Sequence, residues 1–175
     1  FPEILARDWN INNFRMPIDL EGGNFMADGQ GTCYATKAAL TRNTGASELQ
    51  IRAYFKRYLG CENTIFLHAL YGEGTGHIDM FAKIVTPRTI MLGQYNSGES
   101  WDTCEATVDS VNAEILEANR KILSDFTFAD GSKLNIVRLP MPTHSDYNFR
   151  TYVNSQMING VNMIPVYRDD TRFEQ

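Results

Sequence analysis

Two stretches of the chain repeat one order of elements, and that repetition limits the architecture more than any single motif does. Around "GNFMADGQGTCYAT", short half-apolar runs flank Asp28-Gly29-Gln30-Gly31, a turn-rich link that predicts a β-hairpin. A helix follows: Ser47 and Gln50 have capping-box spacing, Ile51, Phe55, Tyr58 and Leu59 share one helical face, and Gly60 is a C-terminal stop. "NTIFLHAL" predicts a buried strand. The order then returns. "IDMFAKIVT" and "TIMLGQY" predict a second hairpin across Pro87-Arg88, Ser100 to about Phe126 a second helix, and "KLNIVRLP" a strand. A last hairpin is predicted at Asn159-Gly160, a dipeptide suited to two successive positive-φ positions. A ββαβ unit recurring at roughly 60-residue spacing predicts an α/β repeat fold in which each unit buries its face against the next.

Composition excludes several classes. With 175 residues and 43% apolar content, the chain can bury a substantial core. Its net charge of -5, with basic residues interleaved among acids, argues against a nucleic-acid partner, and no apolar run reaches bilayer-spanning length. Cys33, Cys61 and Cys104 are odd in number and lack CxxC pairing, so we expect buried or reduced thiols rather than a disulfide framework or zinc knuckle. The chain opens without Met, and we expect it to be a piece of something longer.

"GEGTGHID", residues 72–79, is the most unusual stretch. Gly72, Gly74 and Gly76 match neither the dinucleotide fingerprint nor the Walker A spacing, and a strand is expected next rather than a helix N-terminus that could bind phosphate. Such glycines permit an unusual turn or close backbone approach to a ligand. On a strand, His77 and Asp79 would share one face, pairing a proton-shuttling imidazole with a cation-gripping carboxylate. A structural histidine at a strand start is the plain alternative, and a metal site of His68, His77 and Asp79 is another, although zinc-motif spacings are lacking. Glu21-Gly22-Gly23-Asn24 offers a second acid at a hairpin mouth, with a solvated loop glutamate as the plain reading. Asn154 alternates with apolar neighbours in "YVNSQMING", which points its amide inward.

Taken in order, "EGGNFMADGQGT", "GTGHIDMFAKIV", "RLPMP" and "YVNSQMINGVNMIPVY" resemble the agmatine deiminase and Porphyromonas-type peptidylarginine deiminase family, within the guanidine-modifying pentein superfamily. The resemblance implies part of a five-bladed α/β propeller of ββαβ-type modules. It implies catalysis without metal or other cofactor, by a cysteine thiolate that attacks the guanidinium carbon and passes through a thiouronium intermediate. His77 resembles the general acid/base and Asp79 the carboxylate paired with the guanidinium. Glu21 and Asn24 of the EGGN motif, and Asn154, resemble substrate-binding residues.

The family's nucleophilic cysteine lies after the last hairpin, and no cysteine follows Cys104 here. Residues 1–175 are therefore expected to form an incomplete single domain, completed by the remainder of the deiminase polypeptide. Met80-Phe81-Ala82-Lys83 after Asp79 is nearer the peptidyl branch, whereas Glu21 leans to the agmatine branch. Free or peptidyl arginine is placed slightly ahead of agmatine. The family setting implies a cytoplasmic protein if agmatine-type and a secreted one if peptidyl-type. Oligomeric state stays open, a homo-oligomer included. The competing class is a non-catalytic guanidinium-binding or interaction module that keeps the carboxylates without the thiol.

Overall fold

A computed structural model describes residues 2–95, 103–142 and 148–167, with side chains in the segment 103–125 described from 108 onward. The expected helix start at Ser100 and the side chain of Cys104 lie outside that range. The order of elements is helix α1 (Pro2–Asp8), strands β1 (Met26–Ala27) and β2 (Thr32–Thr36), helices α2 (Ala38–Thr41) and α3 (Glu48–Leu59), strand β3 (Asn63–Leu67), strands β4 (Ala82–Thr86) and β5 (Thr89–Gln94), helix α4 (Thr103–Asp125), strand β6 (Asn135–Pro140), and strands β7 (Gln156–Ile158) and β8 (Val161–Met163). In the first module β1 pairs antiparallel with β2, and β2 pairs parallel with β3 after the helical crossover. The second module repeats this: β4 antiparallel to β5, β5 parallel to β6 across α4. The β7–β8 hairpin supplies the first two strands of the same pattern. Both repeats expected from the sequence are present.

Local chemistry accounts for the boundaries. Helix α3 starts at a reciprocal capping box between Ser47 and Gln50 and ends at Gly60, whose φ of 74° is left-handed. The β7–β8 turn places Asn159 and Gly160 at φ 51° and 79°, the paired positive values a tight hairpin requires. Every residue of β2 is buried, because the strand is covered on both faces. Cys33 and Ala35 face Ile51 and Phe55 of α3, while Tyr34 faces a second core shared with Ile90 and Leu92 of β5 and Leu116 and Leu123 of α4. The two modules are thus joined through a common apolar core. Among the described residues, no helix is long and apolar enough to cross a membrane.

Three expectations are corrected. Cys33 and Cys61 are buried, as expected of apolar thiols, but they form a disulfide rather than staying reduced. Each is locally unremarkable; Cys61 sits in the short turn between the Gly60 cap of α3 and β3, and the approach of that turn to β2, which sequence spacing does not reveal, brings the two Cα atoms to 5.6 Å. "IDM" forms a 3-10 turn, Ile78–Met80, rather than the start of a strand. Asn154 points outward: Thr151, Val153 and Ser155 fill the interior and leave the intervening position exposed. Helices α1 and α2, which have no marked apolar period, were not expected.

The disulfide closes a segment with a sequence separation of 28, so its reduction should cost about 3.5 kcal/mol of stability in the loop-entropy account. Unreduced peptide mapping should recover the Cys33 and Cys61 peptides joined, and reductant should lower the melting temperature. Separate thiol-bearing peptides would contradict the pairing.

Candidate active site

The site forms where a loop from each module meets the other. In the second module's approach, β3 ends at Leu67 and leaves its following backbone without a ladder partner. Two asparagines of α4 take that role. Asn119 accepts from His68 N at 2.7 Å and donates to His68 O at 2.9 Å, and Asn112 does the same for Tyr71 at 2.7 and 3.1 Å. Both asparagines are fully buried.

Glu73 then shapes the glycine stretch. Its carboxylate accepts from Thr75 N and Oγ1 at 3.0 and 2.6 Å, from Gly76 N at 2.6 Å and from His77 N at 3.1 Å. Burial opposes ionisation of this acid, but those donors outweigh it and hold its pKa below the usual range. Gly76 has φ 68°, and a Cβ there would lie 2.7 Å from that of Ala38, so the turn excludes any side chain. Thr36 at the end of β2 donates from Oγ1 to Gly76 O at 2.5 Å, tying this loop to the first module.

His77 is therefore presented at the head of a 3-10 turn, with extended φ and ψ of -76° and 137°, and not on a strand as expected. Asp79 is one position into that turn rather than across a pleat. The turn still brings the pair together, with His77 Nδ1 4.0 Å from Asp79 Oδ1. From the first module, Glu21 reaches across so that its Oε2 lies 2.5 Å from His77 Nε2. Gly23 packs beneath the ring: a Cβ at that position would sit 2.3 Å from His77 Nδ1. Glycine is needed there for the imidazole to occupy its place.

The two carboxylates are in opposite situations. Both oxygens of Glu21 are engaged, one by His77 and the other by an ion pair with Arg42, and these partners, His77 first, hold its pKa below the ordinary value. Asp79 is partly buried, and desolvation pushes its pKa up; the nearby Glu73 charge adds to this, against the pull of His77 and Lys83. Its Oδ1 is buried and has no hydrogen-bond partner among the described residues. A partly desolvated carboxylate with an unused oxygen is suited to a cationic, multi-donor ligand such as a guanidinium.

Of the five residues singled out in the sequence, Glu21, His77 and Asp79 come together directly. Asn24 is buried below them, where its Oδ1 accepts from Thr36 N at 2.8 Å, so this oxygen serves the β1–β2 scaffold. Asn154 lies at the rim, with Nδ2 4.0 Å from the sulfur of Met80. His68 does not join: its Nε2 lies 3.3 Å from Lys37 Nζ, and burial and that ammonium depress its pKa. Among the described residues, no group of three or more His, Cys, Asp or Glu is placed to hold a metal ion. Arg42, Glu73 and Thr36 escaped the sequence reading. Glu73 had a local signal, an acid two residues before a hydroxyl within a glycine-rich turn; Arg42 had none.

The chain matches the family model for Porphyromonas-type peptidyl-arginine deiminase over residues 1–174. It is 33% identical over 140 residues to an agmatine deiminase of Medicago truncatula, covering 75% of this chain and 34% of that protein. Among solved structures, it resembles a C. jejuni agmatine deiminase with substrate bound, at 21% identity and TM-score 0.71, covering 95% of this chain and 48% of that one. It also resembles an Enterococcus faecalis agmatine deiminase catalysing its reaction, at 22% identity and TM-score 0.77, covering 97% and 51%. The chain spans between 34% and 49% of the length of curated relatives it matches.

The raised pKa of Asp79 makes a stability prediction. An acid whose folded pKa lies above its unfolded value stabilises the fold while protonated and loses that contribution as pH rises through the folded pKa. Asp79→Asn should therefore raise the melting temperature at neutral pH, with the gain vanishing as pH falls through the ordinary carboxylate range. An equal gain at all pH values, or a loss at neutral pH, would contradict this environment for Asp79.

Proposed function

Because this chain belongs to the Porphyromonas-type peptidyl-arginine deiminase family, with its two modules forming part of that family's α/β propeller, we propose that it carries the acid/base and guanidinium-binding half of a deiminase site. The observation that supports this most is the meeting of Glu21, His77 and Asp79 at the junction of the two modules. Asp79 receives the substrate guanidinium on its carboxylate, which offsets the cost of a partly buried charge and turns the guanidinium carbon toward the attacking group.

The remaining steps follow from that placement. A cysteine thiolate, supplied by polypeptide beyond the residues described, adds to the guanidinium carbon. His77 gives a proton to the departing nitrogen, ammonia leaves, and a thiouronium remains. The same imidazole then takes a proton from water as it attacks that carbon; the thiolate departs and a ureido product is released. With Nε2 turned to Glu21, the nitrogen that exchanges protons is Nδ1, which lies over Gly23 and faces Asp79.

Completion by further polypeptide has a physical correlate. Ile158, Val161 and Val166 on and after the β7–β8 hairpin are at least half exposed, beside a largely apolar cavity of about 490 Å³ lined by Met91, Leu139 and Ile164. In the two complete modules the second hairpin strand pairs with a post-helical strand, so β8 is the edge on which a third such unit would continue.

The test is ammonia release by the full-length protein from agmatine, free arginine and arginine peptides. We expect turnover of at least one; His77→Ala should abolish it, and Asp79→Ala should lower kcat/KM about a hundredfold or more through lost positioning. Tight binding of these guanidines with no ammonia released would replace the hydrolase with a guanidinium-binding module. Wild-type rates for either variant would remove that residue from the site.

A further inference from the structure

Arg42 and Asn43 stand side by side where α2 ends, and each reaches back to the loop that carries Glu21. Asn43 forms a reciprocal pair with the backbone of Asp19: Asp19 N donates to its Oδ1 at 2.7 Å, and its Nδ2 donates to Asp19 O at 2.8 Å. The same Nδ2 donates to Ala39 O at 2.8 Å, which fixes the amide on α2. Arg42 uses one terminal nitrogen for the ion pair with Glu21 Oε1 and the other to donate to Thr75 O at 2.7 Å, in the loop that leads to His77. One guanidinium therefore bridges both site loops. Two adjacent residues fix the backbone and the carboxylate of the same loop.

We propose that Arg42, assisted by Asn43, is a positioning residue that clamps Glu21 onto His77, so that Glu21 orients the imidazole instead of gripping the substrate. This rests on the deiminase reading above and revises the role expected for Glu21 from its motif. The division of labour follows from occupancy. For a substrate guanidinium to take Glu21, it would have to displace a resident guanidinium already paired with it. Asp79 needs no such exchange, because its Oδ1 has no hydrogen bond among the described residues.

Exposure bears on what the clamp can do. The side chains of Arg42 and Glu21 are 35% and 49% exposed, and ion pairs of that kind add little to global stability. The role must show in the geometry and protonation of the site. A Glu21 carboxylate accepting from Nε2 selects the His77 tautomer with its proton there and leaves Nδ1 as the basic nitrogen. Loss of the Arg42 charge would let the Glu21 pKa rise, so the carboxylate would be protonated, and the clamp lost, at a higher pH than in the wild type.

The experiment compares full-length wild type, Arg42→Gln and Arg42→Lys, with agmatine and free arginine as guanidine probes. For Arg42→Gln we expect kcat to fall about ten- to a hundredfold with KM little changed, the acid limb of the kcat profile to move to higher pH, and the melting temperature to stay close to wild type. Arg42→Lys should recover most of the rate. A lowered KM with unchanged kcat would show that Glu21 is a substrate ligand for which Arg42 competes, and would overturn the proposal. An unchanged rate and profile, or a loss with an unmoved acid limb and no rescue by lysine, would also overturn it. If the wild type releases no ammonia from any guanidine, the deiminase reading fails separately. The clamp is then judged by 15N NMR of the imidazole at alkaline pH: a proton fixed on Nε2 of His77 in the wild type and released in Arg42→Gln supports it, and identical spectra overturn it.

Discussion

Asn112 and Asn119 hold the segment on which everything at the site depends. They are seven residues apart, two helical turns, so both face the same side of α4. There they offer the backbone of His68 and Tyr71 the paired donor and acceptor that a neighbouring strand would have supplied. Four buried or half-buried backbone groups are satisfied in this way, each of which would cost about 1–3 kcal/mol if left unpaired. From that anchored exit the chain meets the Glu73 carboxylate, which gathers three successive amides, and then Thr36, which receives the Gly76 carbonyl. His77 inherits its position from helix α4 on one side and strand β2 on the other. The glycines of the stretch are what allow so tight a path, most clearly at Gly76, where backbone curvature and the neighbouring Ala38 both exclude a side chain.

The charges around His77 divide into a satisfied and an unsatisfied half. Glu21 is exposed, fully partnered and held ionised; Asp79 is partly desolvated, keeps one oxygen without a hydrogen bond, and is pushed toward its neutral form. A fold optimised only for stability would not keep a carboxylate in the second situation. In the proposed mechanism that cost is released when a guanidinium binds, which makes Asp79 the natural substrate contact and leaves Glu21 to serve the histidine. Gly23 fits the same view, since its missing side chain is the space the imidazole fills.

Much of the fold was legible because its signals are local. The Ser47–Gln50 capping box, Gly60, and Asn159-Gly160 each act through neighbouring backbone, and each appears in the structure where the sequence placed it. The recurrence of hairpin, helix and strand was legible for the same reason. What escaped depends on partners distant in sequence. The disulfide needs the approach of the α3–β3 turn to β2, and the clamp by Arg42 needs the approach of loops more than thirty residues apart. The 3-10 turn at Ile78–Met80 is hidden in the sequence because three residues carry no resolvable period. The orientation of Asn154 differs from the expected one because Val153, not its neighbour, is the residue the core accepts. The pairing of His77 with Asp79 came through although the secondary structure behind it differed, since a spacing of two brings side chains close on that turn as it would on one face of a strand.

The most direct test of this account is a crystal structure of the full-length protein with a bound guanidine ligand. The account requires the ligand's guanidinium nitrogens on the Asp79 carboxylate, with Glu21 still held between Arg42 and His77. A guanidinium seated on Glu21 with Arg42 displaced, or a ligand bound away from Asp79, would contradict it.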